Sequence, residues 1–181
     1  MTTWTASVGD VLDLEADALI CSANPSLNLS GGVGGELLLR YGQSMQECLH
    51  EWLRKSDRQS LSPGMAVAVP GGAAPYRVVI HAVAIDAFYD SSAEIIAHAY
   101  RSALAEASRV GCKVIAAACL ACGYGRVGPS VFAAGIRPHV RHAVPGVERI
   151  EFRSTDADII RAVQSEIALG DSEQSLAADS R

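Results

Sequence analysis

"NLSGGVGGELLLRYG" (28–42) sets four glycines into the five positions 31–35 and then passes directly into leucines at helical spacing. Glycine lets a backbone N–H approach a ligand with no Cβ in the way. A helix N-terminus adds unpaired donors and partial positive charge. A glycine cluster placed directly ahead of a helix therefore reads either as a tight turn or as an anion cradle. A second such stretch, "CGYGRVGP" (122–129), follows the apolar run "KVIAAACLA" (113–121). It ends on Pro129, a residue suited to the first turn of a helix.

Around these two loops, strand and helix patterns alternate. "ADALICS" (16–22) is a short apolar run suited to a buried strand. Leu37, Leu38, Tyr41, Met45, Cys48, Leu49, Trp52 and Leu53 keep helical spacing, with Gly42 as a break. "MAVAVPGG" (65–72) reads as a strand closed by a turn, and "YRVVIHAVA" (76–84) as another strand. "SSAE" (91–94) has the form of a capping box for a helix that Gly111 stops. After the second loop a helix runs from Pro129 toward Pro138, and "VERIEF" (147–152) is a strand. Ile159, Ile160, Val163 and Ile167 mark a last helix, expected to be capped by Ser154 or Thr155. The polar end, 170–181, is expected to be a disordered tail behind one domain at 1–169. Near-continuous apolar strands between helices predict an α/β fold whose sheet is covered on both faces. In such sheets ligands bind beyond the carboxyl ends of the strands, where both glycine loops fall.

The totals bound the function. With 181 residues, 49% of them hydrophobic and 19% charged, the chain matches one ordinary globular domain. A net charge of −5 argues against broad nucleic-acid binding, which needs a basic face. No apolar run is long enough to span a bilayer, and "MTTWTASVGD" lacks the pattern of a secretory signal. The expected compartment is the cytoplasm, and the five cysteines read as free thiols.

"GYGRVG" (123–128) matches G-x-G-x-x-G after a strand, with Glu151 on the next strand, which is the outline of a dinucleotide site. An NAD-dependent Rossmann oxidoreductase is therefore one alternative. The three-residue spacer Leu120–Cys122 and the single strand that follows speak against it.

Taken in order, the motifs resemble those of the macro domain family. "VGDVLDLEADALICSANPSLNLSGGVGGELLLRYG" (8–42) is similar to that family's opening: a Gly-Asp pair, a strand ending in an Asn-rich run, and a glycine loop entering a helix. "VVIHAVA" (78–84) resembles its central strand and "CLACGYGRVG" (119–128) its second loop. The resemblance covers about residues 6 to 168. It implies a three-layer α/β/α sandwich with a central mixed sheet and a cleft for ADP-ribose, whose diphosphate the two loops would cradle.

The resemblance also implies roles. Asp10, with Val11 beside it, would take the adenine amino group, and Asn24 would hold the distal ribose and serve as the candidate catalytic residue. Gly31, Gly32, Val33 and Gly34 would form the first phosphate loop. Ala121, Cys122, Gly123, Tyr124 and Gly125 would form the second, and Phe152 or Arg153 would wall the adenine. The implied partner is ADP-ribose or an ADP-ribosylated substrate bound by a monomer, with no cofactor, metal or membrane.

Two departures bear on activity. Hydrolytic members of the best-known branch carry Gly-Val-Asp in the first loop, where the aspartate can serve as general base; this chain has Gly32-Val33-Gly34. The hydroxyl usual in the second loop is the thiol of Cys122, a weaker donor. The expectation is ADP-ribose binding with slow hydrolysis of ADP-ribosyl or O-acyl-ADP-ribose esters. The alternative is a regulatory reader without turnover. Other clusters carry less. Cys119 and Cys122 are a lone C-x-x-C, and His139 and His142 lack a carboxylate partner for a metal site. His81, in a strand, reads as structural.

Overall fold

The computed structural model describes residues 2–179, with side chains of the last helix described as far as Gly170 and at Ser172. The strands are β1 (Thr3–Val8), β2 (Ala18–Ala23), β3 (Ala66–Pro70), β4 (Val78–Val83), β5 (Val114–Ala118) and β6 (Arg149–Ser154). The helices are α1 (Gly32–Tyr41), α2 (Ser44–Lys55), α3 (Ala93–Arg109), α4 (Pro129–Val140) and α5 (Ala157–Asp179). One sheet orders the strands β1-β6-β5-β2-β4-β3, all parallel except the β3–β4 pair. This order is not that of a dinucleotide-binding Rossmann sheet, which removes the oxidoreductase alternative.

Period-two alternation feeds two cores. Leu19 and Cys21 of β2, Val79 and Val83 of β4 and Ala116 of β5 face α1 and α2, where Leu37, Met45, Leu49 and Leu53 meet them. Ile20, Ile80, Ile115 and Phe152 face the other way, onto α3, α4 and α5 through Ile96, Tyr100, Phe132, Ile136 and Val163. Because both faces are covered, the central strands lack polar alternation. The result is the three-layer α/β/α sandwich expected.

Several boundaries differ from expectation. β1 has no counterpart among the expected strands, and it closes one edge of the sheet by pairing with β6. β6 runs 149–154, two residues later than predicted, because its register follows β5 and β1. The cap of α5 is Asp156, not Ser154 or Thr155: its Oδ1 accepts from the N–H groups of Asp158 (2.9 Å) and Ile159 (3.2 Å). Ser154 Oγ instead accepts from Asp156 N–H at 3.1 Å. Ser92, one residue inside the capping box, caps α3 through Ile95 N–H. α4 continues through Pro138 to Val140. α5 runs on through Asp179, over a stretch whose polarity predicted disorder. Past Gly170 that stretch holds no proline or glycine, and its alanines, leucine and acidic residues are compatible with a helix.

Candidate functional site

Five parallel strands end on one edge of the sheet, and the segments leaving β1, β2, β5 and β6 enclose a cleft of about 420 Å³ there. Each loop is anchored in a different core. Leu27 and Leu29 bury against the α1–α2 side. Gln46 of α2 clamps them, accepting from Leu29 N–H at 2.7 Å and donating to the Leu27 carbonyl at 2.9 Å. Leu120, Ala121 and Val127 of the second loop bury on the α3–α5 side. Val127 N–H closes that loop onto the Ala121 carbonyl, and Ala121 N–H donates to Ser22 Oγ at 3.3 Å. The loop tips between these anchors are left over the cleft.

The backbone donors at the tips are open. α1 begins at Gly32, and its first cross-boundary bond is Gly35 N–H to the Gly31 carbonyl. Among the described residues the N–H groups of Gly32, Val33 and Gly34 find no acceptor outside their own helix, nor do those of Gly123, Tyr124 and Gly125 find one in the protein. Unpaired backbone N–H groups clustered at a cleft, three of them at a helix N-terminus, form an anion site.

The two loops touch. A Cβ at Gly31 would lie 2.3 Å from Cε2 of Tyr124, so only glycine admits the ring there. At Gly125 a Cβ would fall 2.6 Å from the Ala121 carbonyl oxygen and 2.8 Å from Ile85. Gly32 takes a left-handed backbone, φ 53°, as Leu27 does earlier in the same loop, φ 55°. Gly34 lies in the first turn of the helix.

Of the residues expected in the site, Asp10, Val11, Asn24, Gly31 to Gly34, Ala121 to Gly125 and Arg153 all line the cleft. Phe152 does not. Its side chain is 1% exposed and packs among Trp4, Tyr100 and Phe132, because alternation along β6 turns it into the core and Arg153 toward the cleft. Arg153 lies beside Gly9 and is held by Ser7 Oγ (3.0 Å) and Glu151 (3.0 Å).

Two of the polar residues are already engaged. Asp10 caps the 3-10 turn Val11–Asp13 through Leu12 N–H at 2.9 Å and takes Arg40 on its other oxygen at 2.6 Å. Asn24 holds its own loop: Nδ2 donates to the Asn28 carbonyl at 2.9 Å and Oδ1 accepts from Asn28 N–H at 3.2 Å. Asn28 Oδ1 in turn meets His50 Nε2 at 2.9 Å. Sequence reading missed Arg40, Gln46, Ser22, Tyr89 and Asp156. Ser22 and Arg40 lie inside the stretch 8–42 and Tyr89 and Asp156 on the segments leaving β4 and β6, but what each bonds or faces is set by packing and not by a local motif.

The thiols of the second loop are poor nucleophiles. Burial, and then the negative charge of Asp156, push Cys122 up to about 12. Burial foremost also holds Cys119 well above the ordinary thiol range. Neither is poised as a thiolate at neutral pH. Deeper in the sheet, His81 faces Cys21 across the β2–β4 register, Nδ1 to Sγ 3.3 Å. Burial lowers its pKa to about 3, so the ring is neutral and structural. Among the described residues no helix is long and apolar enough to cross a membrane.

Known proteins share this architecture. A macrodomain from Oceanobacillus iheyensis superposes with TM-score 0.81 over 93% of this chain and 92% of its own, at 18% identity. A Trypanosoma brucei macrodomain in complex with ADP-ribose gives 0.74 over 90% and 68%, at 20% identity. In sequence, a Streptomyces griseus macro domain-containing protein is 30% identical over 152 residues, 82% of this chain and 85% of its own. The chain spans 62% of the length of a Pyrobaculum aerophilum relative and 31% of a Mycobacterium tuberculosis one. The macro domain profile matches residues 20–134, and the chain belongs to the macro domain family.

Proposed function

We propose that the cleft binds ADP-ribose, free or attached to a metabolite or protein, with its diphosphate between the two glycine loops. The observation that carries this reading is that six residues whose backbone N–H groups find no acceptor beyond their own helix or loop, Gly32, Val33, Gly34, Gly123, Tyr124 and Gly125, line one cleft. A diphosphate offers the negative charge and acceptor oxygens such donors need. The Asp10 carboxylate at one end of the cleft suits the amino group of adenine, because an ionised carboxylate only accepts. Support comes also from the macrodomain crystallised with ADP-ribose and from an Enterobacter O-acetyl-ADP-ribose deacetylase, 38% identical over 79 residues, 42% of this chain and 41% of its own.

Turnover, in this reading, is slow. The first loop has no carboxylate at Gly34, and the thiols of the second are held protonated. Water attacking an ADP-ribosyl or O-acyl-ADP-ribose ester would then rely on positioning alone, with Asn24 beside the ribose. The absence of a base at Gly34 favours a second reading, a regulatory reader that binds without hydrolysis. Calorimetric titration with ADP-ribose, followed by deacylation and de-ADP-ribosylation assays on the same sample, tests both. One-site binding with weak turnover is the expected result. No binding at millimolar ADP-ribose would overturn the reading.

A further inference from the structure

Two aromatic side chains stand largely in solvent at the mouth of the cleft, Tyr124 65% exposed and Tyr89 49%. Both line the cleft, with ring centroids 6.4 Å apart and planes tilted by 53°. Phe88, next to Tyr89 in the chain, is 84% exposed. Aromatic rings contribute most to stability when buried, so folding gives no reason for the pair to stand exposed beside one opening.

The segment that presents them is fixed. Asp86 Oδ1 accepts from the N–H groups of Phe88 (2.8 Å) and Asp90 (2.9 Å). Asp86 N–H donates to the Asp90 carbonyl at 2.9 Å and Tyr89 N–H to the Asp86 carbonyl at 3.2 Å. Ser91 Oγ donates to the Ala84 carbonyl at 2.6 Å. These bonds hold Tyr89 at φ 66°, a conformation an aromatic residue seldom adopts. The stretch Ile85–Ser91 carries two carboxylates and no base. In the second loop, Arg126 is the one basic residue between Cys119 and Pro129.

We propose that this mouth is a subsite for a planar cation carried on the distal ribose of the bound ADP-ribosyl group. The proposal rests on the reading of the cleft as an ADP-ribose site. Aromatic faces attract cations through the ring quadrupole, and a flat delocalised cation stacks on them as well. Asp86 and Asp90 add attraction of the same sign, whereas they repel a carboxylate. A small neutral acyl group uses neither feature. Two sources share this chemistry: a guanidinium joined to the ribose, as in an ADP-ribosylated arginine, and the pyridinium of NAD.

The test is calorimetric titration of the full chain with ADP-ribose, O-acetyl-ADP-ribose, ADP-ribosyl-agmatine and NAD. At least one planar-cation ligand is expected to bind about three- to tenfold tighter than O-acetyl-ADP-ribose, the scale of one or two exposed cation–π contacts. Tyr89→Ala is expected to erase that preference and Tyr89→Phe, which keeps the ring, to retain it. Tyr89 is half exposed on a surface turn, so both variants should fold. A preference for the agmatine conjugate alone assigns the guanidinium, and one for NAD alone assigns the pyridinium. Intact ADP-ribose binding without such a preference, or with one that survives Tyr89→Ala, overturns the subsite and leaves the cleft reading standing. Loss of ADP-ribose binding in the wild type overturns both.

Discussion

The guanidinium of Arg40 donates to Oδ2 of Asp10 at 2.6 Å, while Oδ1 of the same carboxylate caps Leu12 N–H at 2.9 Å. Both oxygens are thus oriented by the protein, and each keeps one lone pair for a ligand. Arg40 also reaches Glu36 (3.5 Å) and Asp13 (3.7 Å), so one cation offsets three carboxylates at this end of the cleft. As an exposed ion pair it adds little to stability. In the proposed ADP-ribose site it acts on binding through the aim of Asp10.

Asp10→Ala is therefore expected to weaken ADP-ribose binding by roughly 1–3 kcal/mol, the scale for losing a hydrogen bond to a charged group. Arg40→Ala alone should cost less. In the Asp10→Ala background it should cost almost nothing further, because residues in contact do not act additively. Calorimetry on the two single variants and the double variant measures this. Additive losses would show that Arg40 meets the ligand independently of Asp10.

How much of this was legible in the sequence depends on where each signal resides. The glycine loops, β2, β4, β5 and the helix faces were readable because burial on both sides of a sheet leaves apolar runs that composition alone exposes. Asp10, Asn24 and the loop positions came from the resemblance to the macro domain family, residue by residue. β1 went unassigned although "TWTASV" alternates polar and apolar residues, the pattern of a half-buried strand; the run is short and polar, and its partner β6 lies far along the chain. Phe152 was misassigned because a one-residue uncertainty on a strand reverses the face of every side chain. Arg40 and Gln46 escaped notice because they act across turns of helix onto loops, and no local pattern records that. Tyr89 and Phe88 sit in a short loop whose geometry comes from Asp86, a residue that sequence reading had no reason to single out.

Folding keeps His81 neutral, with its pKa lowered from 6.5 to about 3 by burial. The unfolded chain binds this proton below pH ~6.5, and the folded chain does not until about pH 3. The stability this group contributes is therefore complete above pH ~6.5 and is lost as the pH falls, at about 1.4 kcal/mol per pH unit. Denaturant midpoints measured from pH 7 to pH 4 should fall more steeply for the wild type than for His81→Leu. Parallel slopes would mean that the folded state protonates His81 at an ordinary pKa.

α4 packs on α3 at Gly135, where an added Cβ would lie 2.6 Å from Ile96 Cγ2 and 3.1 Å from the Ala93 carbonyl oxygen. Alanine is the better helix former by about 1 kcal/mol. Overpacking a rigid contact costs about 1–3 kcal/mol, and here the larger effect should win. Gly135→Ala is expected to lower the urea midpoint at an unchanged slope. A raised midpoint would show that the helices separate at little cost.

The last prediction concerns Gly34. General-base assistance is typically worth about 10²–10⁴-fold in rate, and glycine cannot provide it. Gly34 is in the first turn of α1, outside the left-handed region, which is occupied by Gly32. An added Cβ there would meet Leu29 Cδ2 at 3.4 Å, an ordinary contact, so backbone and Cβ are accommodated; Gly34 is buried, and the carboxylate has to turn away from Leu29 to reach the cleft. Its negative charge would also sit at a helix N-terminus, where it is favoured. Gly34→Asp should therefore raise hydrolysis of an O-acyl-ADP-ribose ester while weakening ADP-ribose binding only modestly, since the new charge approaches the diphosphate. The companion variant has to be chosen with the loop in mind. Asn24→Ala would remove both bonds to Asn28 and disturb the loop itself. Asn24→Asp keeps the acceptor for Asn28 N–H but sets a carboxylate oxygen against the Asn28 carbonyl and adds a charge near the diphosphate, so its turnover is read beside its ADP-ribose affinity. Residual wild-type turnover should drop in Asn24→Asp, and the gain from Gly34→Asp should shrink with it, because a base helps only a substrate that is held in place. Rapid wild-type hydrolysis that neither substitution changes would place the reacting water away from the first loop.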